Sequence, residues 1–371
     1  IGSIVGVGLM NSYLSPDSAF GEGVNWAKVS DTAKALLFSP IIGFVFAALL
    51  LWLARRLLTN NTLFQAPQGD TPPPWPVRLL LVLTCTGVSF AHGSNDGQKG
   101  QGLIMLILIG VAPVAFALNL NARPDVVQHI AADARSLHDT LAGGAGSAMD
   151  TETAHKTLTQ FLKKKDDFNA AHVAALAQVN SSIVDALHDT ADLSGVPPER
   201  RRDLRMNLYL VSEVLVRLDK AGKLPAGVDK ALVSGYQKNL KNVTTFIPVW
   251  VKVAVAIALG FGTMIGWKRI VVTVGEKIGK AHLTYAQGAS AELVAMATIE
   301  AADQLGLPVS TTHVLSSGIA GTMVASGSGV QKDTVRNVML AWVLTLPVCV
   351  LLGASTFAAG LFVVFRLFGV H

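Results

Sequence analysis

A carboxylate, an ammonium, carboxamides and an imidazole crowd into residues 90–102, where His92, Asn95, Asp96, Gln98 and Lys99 are interleaved with four glycines. Apolar runs lead in over 79–90 and out over 103–118. In water such a stretch would be a loop. Between apolar runs of membrane length its polar groups find no partners in hydrocarbon, and ionisable groups at that depth mark a functional site by default. Asp96 is the informative member. A carboxylate repels an anionic substrate, so Asp96 must be protonated or bound to a cation when such a substrate enters. That requirement is a coupling device in itself. Lys99, three residues on, either pairs with Asp96 on a helix face or acts as the substrate's counter-charge. Asn95 can coordinate either partner through its amide.

A second polar stretch, residues 287–321, carries Glu292, Glu300 and Asp303, then the break Gly306-Leu307-Pro308, then the hydroxyls of Ser310, Thr311, Thr312, Ser316 and Ser317 around His313. Pro308 stops one limb and opens the next with no N–H to lose. The hydroxyls and free N–H groups that follow either form an anion-binding helix end or cap the helix and bond back to its own carbonyls. Glu292 reads as a proton- or cation-handling group, or as an interfacial one. His313 reads as a proton relay or as a packed, hydrogen-bonded histidine, and His92 divides the same way.

Spans must position these groups. The 371 residues are 51% hydrophobic and only 15% charged, whereas a soluble domain carries about 25% charged residues. The deficit is uneven. Spans are predicted over 33–54, 246–267 and 335–366, with the second half of one over 1–14; 79–90 leads into the motif, 100–118 spans back, and the glycines of 90–102 predict a broken or unwound helix between them. About 20 residues are needed to cross a bilayer, and the apolar part of 287–321 is shorter, so its two limbs predict a re-entrant hairpin. The chain opens at Ile1 inside an apolar run without a basic leader, which is no signal peptide and reads as a chain cut inside a helix. From 121 the apolar runs vanish. Helical spacing over 151–165, 169–190 and 198–220, with breaks at Ser181-Ser182 and at 195–198, predicts a soluble helical insert, and its lysines at 163–165 read as a solvated face. The division is therefore a membrane part over 1–120, an insert over 121–244 and a second membrane part over 245–371. The net charge of +5 is spread over insert and span ends, which fits basic membrane flanks and not nucleic acid. Cys85 and Cys349 sit within spans and form no disulfide or zinc pattern. No metal site, cofactor or catalytic residue is predicted.

The two ends of the chain repeat each other weakly. Ile4-Val5-Gly6 aligns with Ile319-Ala320-Gly321, and residues 39–58 align with 346–368, each with a proline, an apolar run and an arginine. Such repeats are common in secondary transporters, with the substrate site between the halves.

Gly93-Ser94-Asn95-Asp96 and Pro308-Val309-Ser310-Thr311-Thr312-His313 together resemble the PiT family of inorganic phosphate transporters, in its bacterial low-affinity branch. The likeness covers nearly all of 1–120 and 245–371. The family carries two copies of each motif, and these are the second copies, so the first copies are expected upstream of Ile1. The resemblance implies an all-α polytopic membrane transporter with inverted repeats, broken helices, a re-entrant hairpin and the soluble helical insert. It implies a symporter, not an enzyme, taking up inorganic phosphate as a multi-pass protein of the cell inner membrane, in a lipid bilayer and as a homodimer. Asn95, Asp96, Lys99, Ser310, Thr311 and Thr312 are the expected substrate contacts; Asp96, Asn95, Glu292 and His313 are the expected coupling-ion residues. Where the commonest family motif has a second Asn, this chain has Lys99. An ammonium there repels a bound cation, which argues for proton coupling, or for a metal–phosphate substrate, over sodium. Sulfate and an intramembrane phosphatase-like enzyme are the rival readings. Residues 93–100 lack the spacing and the Ser/Thr of a phosphate-binding loop.

Overall fold

In the computed structural model, residues 1–15, 19–22, 24–59, 61–67, 69, 71–142, 149–163, 167–188, 190–307 and 309–367 are described, and among them the long elements are all helices. They are α1 (Gly2–Leu14), α2 (Trp26–Leu57), α3 (Trp75–Val111), α4 (Pro113–Phe116), α5 (Pro124–Ala142), α6 (Thr151–Lys163), α7 (Ala170–Leu187), α8 (Arg201–Ala221), α9 (Lys230–Thr244), α10 (Val249–Met264), α11 (Trp267–Glu276), α12 (Tyr285–Gln304), α13 (Thr311–Ala325) and α14 (Lys332–Leu367). Two compact units result, one formed by Ile1–Lys99 with Val255–His371 and the other by Gly100–Ala254.

Among the described residues, α2, α3 and α14 are each long and apolar enough to cross a membrane, and α9 with α10 meets the same test as a pair bent by 67°. Leu37, Phe38, Ile41, Val45 and Phe46 stand exposed on α2, and Val343, Leu351 and Leu352 on α14. Such faces suit lipid as solvent. The span expected over 246–267 is shorter: α10 has 16 residues, about 24 Å of rise.

The first unit is built on glycines that bring helix backbones together. A Cβ added to Gly6 on α1 would strike the Val350 carbonyl of α14, and one added to Gly321 on α13 would strike the Phe44 carbonyl of α2. Gly6 and Gly321 are the two glycines that the repeat aligns. Val350 lies three residues beyond Pro347 and Phe44 four beyond Pro40, so the two contacts are equivalent to within one residue. Each repeat thus packs its earlier helix on the later helix of the other, and the repeat is visible as packing.

α12 and α13 form the expected hairpin. Gln287 near the start of α12 donates Nε2 to Ser326 Oγ past the end of α13 at 2.8 Å, while Ala302 and Val309 pack together at the turn. Gly306 takes φ +64° there, a left-handed conformation that other residues adopt only under strain. Pro308 lies outside the described residues.

The motif does not unwind. α3 runs unbroken through Gly93, Gly97, Gly100 and Gly102. A glycine inside a helix costs about 1 kcal/mol, and here the polar side chains bond to one another along the helix and across to α12, so no loop is needed to satisfy them.

In the second unit the apolar residues of α5 and α8 recur every three or four positions: Val127, Ile130, Ala134, Leu137 and Leu141 on α5, Leu204, Leu208, Val211, Leu215 and Leu218 on α8. With α6, α7 and α9 they enclose one core around Tyr236, whose hydroxyl donates to buried Asn180 Oδ1 at 3.0 Å. The break expected at Ser181-Ser182 is absent: α7 passes through, and Ser182 returns its hydroxyl to the Gln178 carbonyl at 3.2 Å. The break at 195–198 is real, with short 3-10 turns at Leu193–Gly195 and Pro198–Arg200. The unit's two ends are fastened. The Asn119 N–H donates to the Val243 carbonyl at 3.0 Å, and the Arg205 guanidinium bonds the carbonyls of both Ala117 and Thr244. Lys164 and Lys165 of the lysine run lie outside the described residues.

Candidate functional site

α3 and α12 run in the same direction, in register. Thr84 Oγ1 donates to Glu292 Oε2 at 2.5 Å, and Asn95 Nδ2 donates to Asp303 Oδ1 at 3.0 Å. Eleven residues separate the two positions on each helix, which is close to three turns of α-helix, so each helix presents both groups on one face. Between these rungs Ala91 packs with Ala295 and Ile299, and a Cβ on Gly87 would strike the Met296 sulfur.

The upper rung is the motif. Asp303 receives three donors: Asn95 Nδ2, Ser94 Oγ at 3.1 Å and Gln98 Nε2 at 3.0 Å. Lys99 folds back over its own helix and donates Nζ to Asn95 Oδ1 at 2.7 Å, to Asp96 Oδ1 at 2.9 Å and to the Val309 carbonyl at 3.3 Å. The other oxygen of Asp96 lies 3.5 Å from His92 Nε2. Asn95 is 4% exposed, while a third of the Asp96 side chain and nearly half of Lys99 remain open. The arrangement leaves the acid–base pair reachable and its amide locked.

The Val309 carbonyl sets Lys99 beside the start of α13. There Ser310 caps the helix, its Oγ accepting the His313 N–H at 3.4 Å. Thr311 is buried and Thr312 exposed, and their amides belong to the first turn that a helix leaves without internal acceptors. His313 stacks on Trp342 of α14, ring centroids 4.1 Å apart. Its Nδ1, the Nδ1 of His92 and the Oγ of Ser39 are buried without a hydrogen-bond partner among the described residues. Ser39 lines an apolar groove of about 650 Å³ between α2 and the hairpin.

Asn95, Asp96 and Lys99 therefore stand together, next to Ser310 through Val309. Glu292 stands apart, on the lower rung about 16 Å along the helix. Sequence reasoning noted Asp303 and gave it no role. Its spacing of eleven from Glu292, matched by that of Thr84 and Asn95, is the signal that could have found it.

A compact polar cluster beside a helix start, among described residues that form membrane-length helices and a hairpin, fits the class of membrane transporters. The chain belongs to the phosphate transporter family, whose profile matches residues 1–353. It is 36% identical over 382 residues to the low-affinity inorganic phosphate transporter of Buchnera aphidicola subsp. Acyrthosiphon pisum, covering 98% of this chain and 75% of that protein. It is 36% identical to the low-affinity inorganic phosphate transporters PitA and PitB of Escherichia coli K12, covering 96% of this chain and 74% of each relative. A solved structure titled "The sodium-dependent phosphate transporter" is 18% identical, with a TM-score of 0.41 over 96% of this chain and 71% of that one; a likeness at that score bears on neither fold nor mechanism. The relatives are named as transporters, and a transport role, not a catalytic one, follows for the family.

Proposed function

We propose that this protein carries inorganic phosphate as a proton-coupled symporter in the cell inner membrane, with 1–120 and 245–371 as its membrane part and 121–244 as the insert outside the bilayer. One observation carries the reading: the Lys99 ammonium rests on Asn95 Oδ1 and Asp96 Oδ1, where a coupling cation would otherwise sit. Phosphate needs many donors and a counter-charge. Ser310, Thr311 and Thr312 supply hydroxyls and first-turn amides, and Lys99 is within reach of that turn. As Lys99 turns toward phosphate, Asp96 loses its ion pair and takes up a proton from the side that phosphate entered. Proton and phosphate then travel together, and a tethered ammonium makes sodium dispensable. Glu292 and His313 are further stations for the proton, and a metal–phosphate complex is an alternative cargo.

The test is uptake of radiolabelled phosphate by the protein expressed from its complete gene in cells lacking other phosphate carriers. Uptake should collapse with a proton ionophore, persist without sodium and vanish in Asp96→Asn. A sodium requirement would overturn the role of Lys99; uptake only with divalent cations would favour metal–phosphate; no phosphate uptake would move the substrate to sulfate.

A further inference from the structure

We infer that Asp303 is the positioning residue of the motif: its carboxylate orients the Asn95 amide so that the amide oxygen holds Lys99 on Asp96. Asn95 lies between two groups of opposite demand. A carboxylate only accepts hydrogen bonds and an ammonium only donates them. With Nδ2 on Asp303 and Oδ1 on Lys99 both demands are met, at 3.0 and 2.7 Å. Turned over, the amide would set its NH2 against the ammonium and its oxygen against the carboxylate. Asn95 is 4% exposed, so water cannot repair that mismatch, and a buried polar group without its partner is costly. The result is an alternating chain, carboxylate to amide to ammonium to carboxylate, in which each bond polarises the next.

Asp303 comes from the hairpin's first limb, over two hundred residues from the motif in sequence. Ser94 and Gln98 bind its second oxygen, so three donors fix the carboxylate that fixes the amide. The lower rung of Thr84 and Glu292 keeps α3 and α12 in register independently. The charged groups around Asp303 are few. His92, Asp96 and Lys99 face the cluster from α3, Glu300 is exposed on its own helix, and His313 lies at the start of α13. Asp31 and Lys34 of α2 line the groove on the hairpin's other side. Of these, Lys99 is the cation tied to the Asn95 oxygen.

This deepens the carrier reading, and only the uptake arm of its test rests on that reading. The first arm is independent of substrate. The purified full-length protein is treated with an amine acylating reagent, and labelling of Lys99 is followed by mass spectrometry against Lys34 as internal reference. Asp303→Leu and Asp303→Ala, neither of which leaves an acceptor for the Asn95 amide, should each raise the Lys99 to Lys34 ratio at least about threefold, the loss expected for one hydrogen bond, and Asp303→Glu should return it toward wild type. Either of the first two variants decides the matter if the other fails to fold. An unchanged ratio in a variant that keeps the wild-type thermal midpoint overturns the proposal, whatever the protein carries. In the uptake arm, Asp303→Ala should lower the phosphate KM by about threefold with Vmax within about twofold, because Lys99 is then held less firmly on Asp96 when phosphate arrives. In a Lys99→Ala background the same change should add nothing, because Asp303 acts through Lys99. A raised KM, or a change that adds to that of Lys99→Ala, would show a merely structural role.

Discussion

Lys99 converts a general problem of anion carriers into a local one. A carboxylate near an anion site needs a positive partner, and in this chain the partner is covalently attached three residues away. Replacing it should reopen the position to a free cation. Lys99→Asn is expected to make uptake rise with sodium at fixed pH, at least about threefold if sodium restores one charge-assisted contact; uptake indifferent to sodium in a folded Lys99→Asn protein would remove the lysine from the coupling argument. Much of this cluster was legible beforehand, because ionisable side chains between apolar runs are costly and conspicuous. Asp303 was visible as a residue and not as a partner. Its role depends on two helices being parallel and in register, which no single stretch of sequence displays.

At the scale of elements, glycines do two different things. Gly6, Gly43 and Gly321 stand where an added Cβ would strike a neighbouring backbone, whereas Gly93 in α3 has open space around it. Gly321→Leu should lower stability by at least about 1–3 kcal/mol, since the α2 backbone has no side chain to move aside, and a drop in the thermal midpoint of the detergent-solubilised protein would show it. Gly93→Ala should leave that midpoint unchanged or raise it, an effect of up to about 1 kcal/mol in favour of the helix. Equal losses for both variants would contradict the close packing described. Glycine in the sequence marks both cases alike, which is why the motif's glycines pointed to an unwound segment that is absent. The hairpin was easier to read, because the break at Gly306 between two limbs whose apolar parts are too short to cross leaves few alternatives.

At the scale of the molecule, the insert stands on ordinary bundle packing with one carboxyl partly drawn into it. Burial pushes the Asp133 carboxyl up, against a hydrogen bond with Asn239 and the pull of His129. A carboxyl raised in the folded state holds its proton more tightly there than in the unfolded chain. This carboxyl's contribution to stability is therefore fully present below the ordinary aspartate range near pH 4 and is lost as pH rises through the folded value. Asp133→Asn should then slow hydrogen exchange in α5 at pH 7, by no more than about 1 kcal/mol of opening free energy because the half-exposed side chain is screened, and match wild type below about pH 4. Faster exchange at pH 7 would count against the burial cost. The helical character of this insert was readable from the three-to-four spacing of its apolar residues. The pairing of α1 with α14 was not, since only the aligned glycines hinted at it. That pairing has a consequence in time. α1 leaves the ribosome well before α14, and the backbone that its Gly6 must meet is made more than three hundred residues later. At about 5–20 residues per second the wait is roughly 20–70 s. α1 therefore waits without its partner until α14 is made, and stalling anywhere between the two leaves a glycine groove that another nascent chain can occupy.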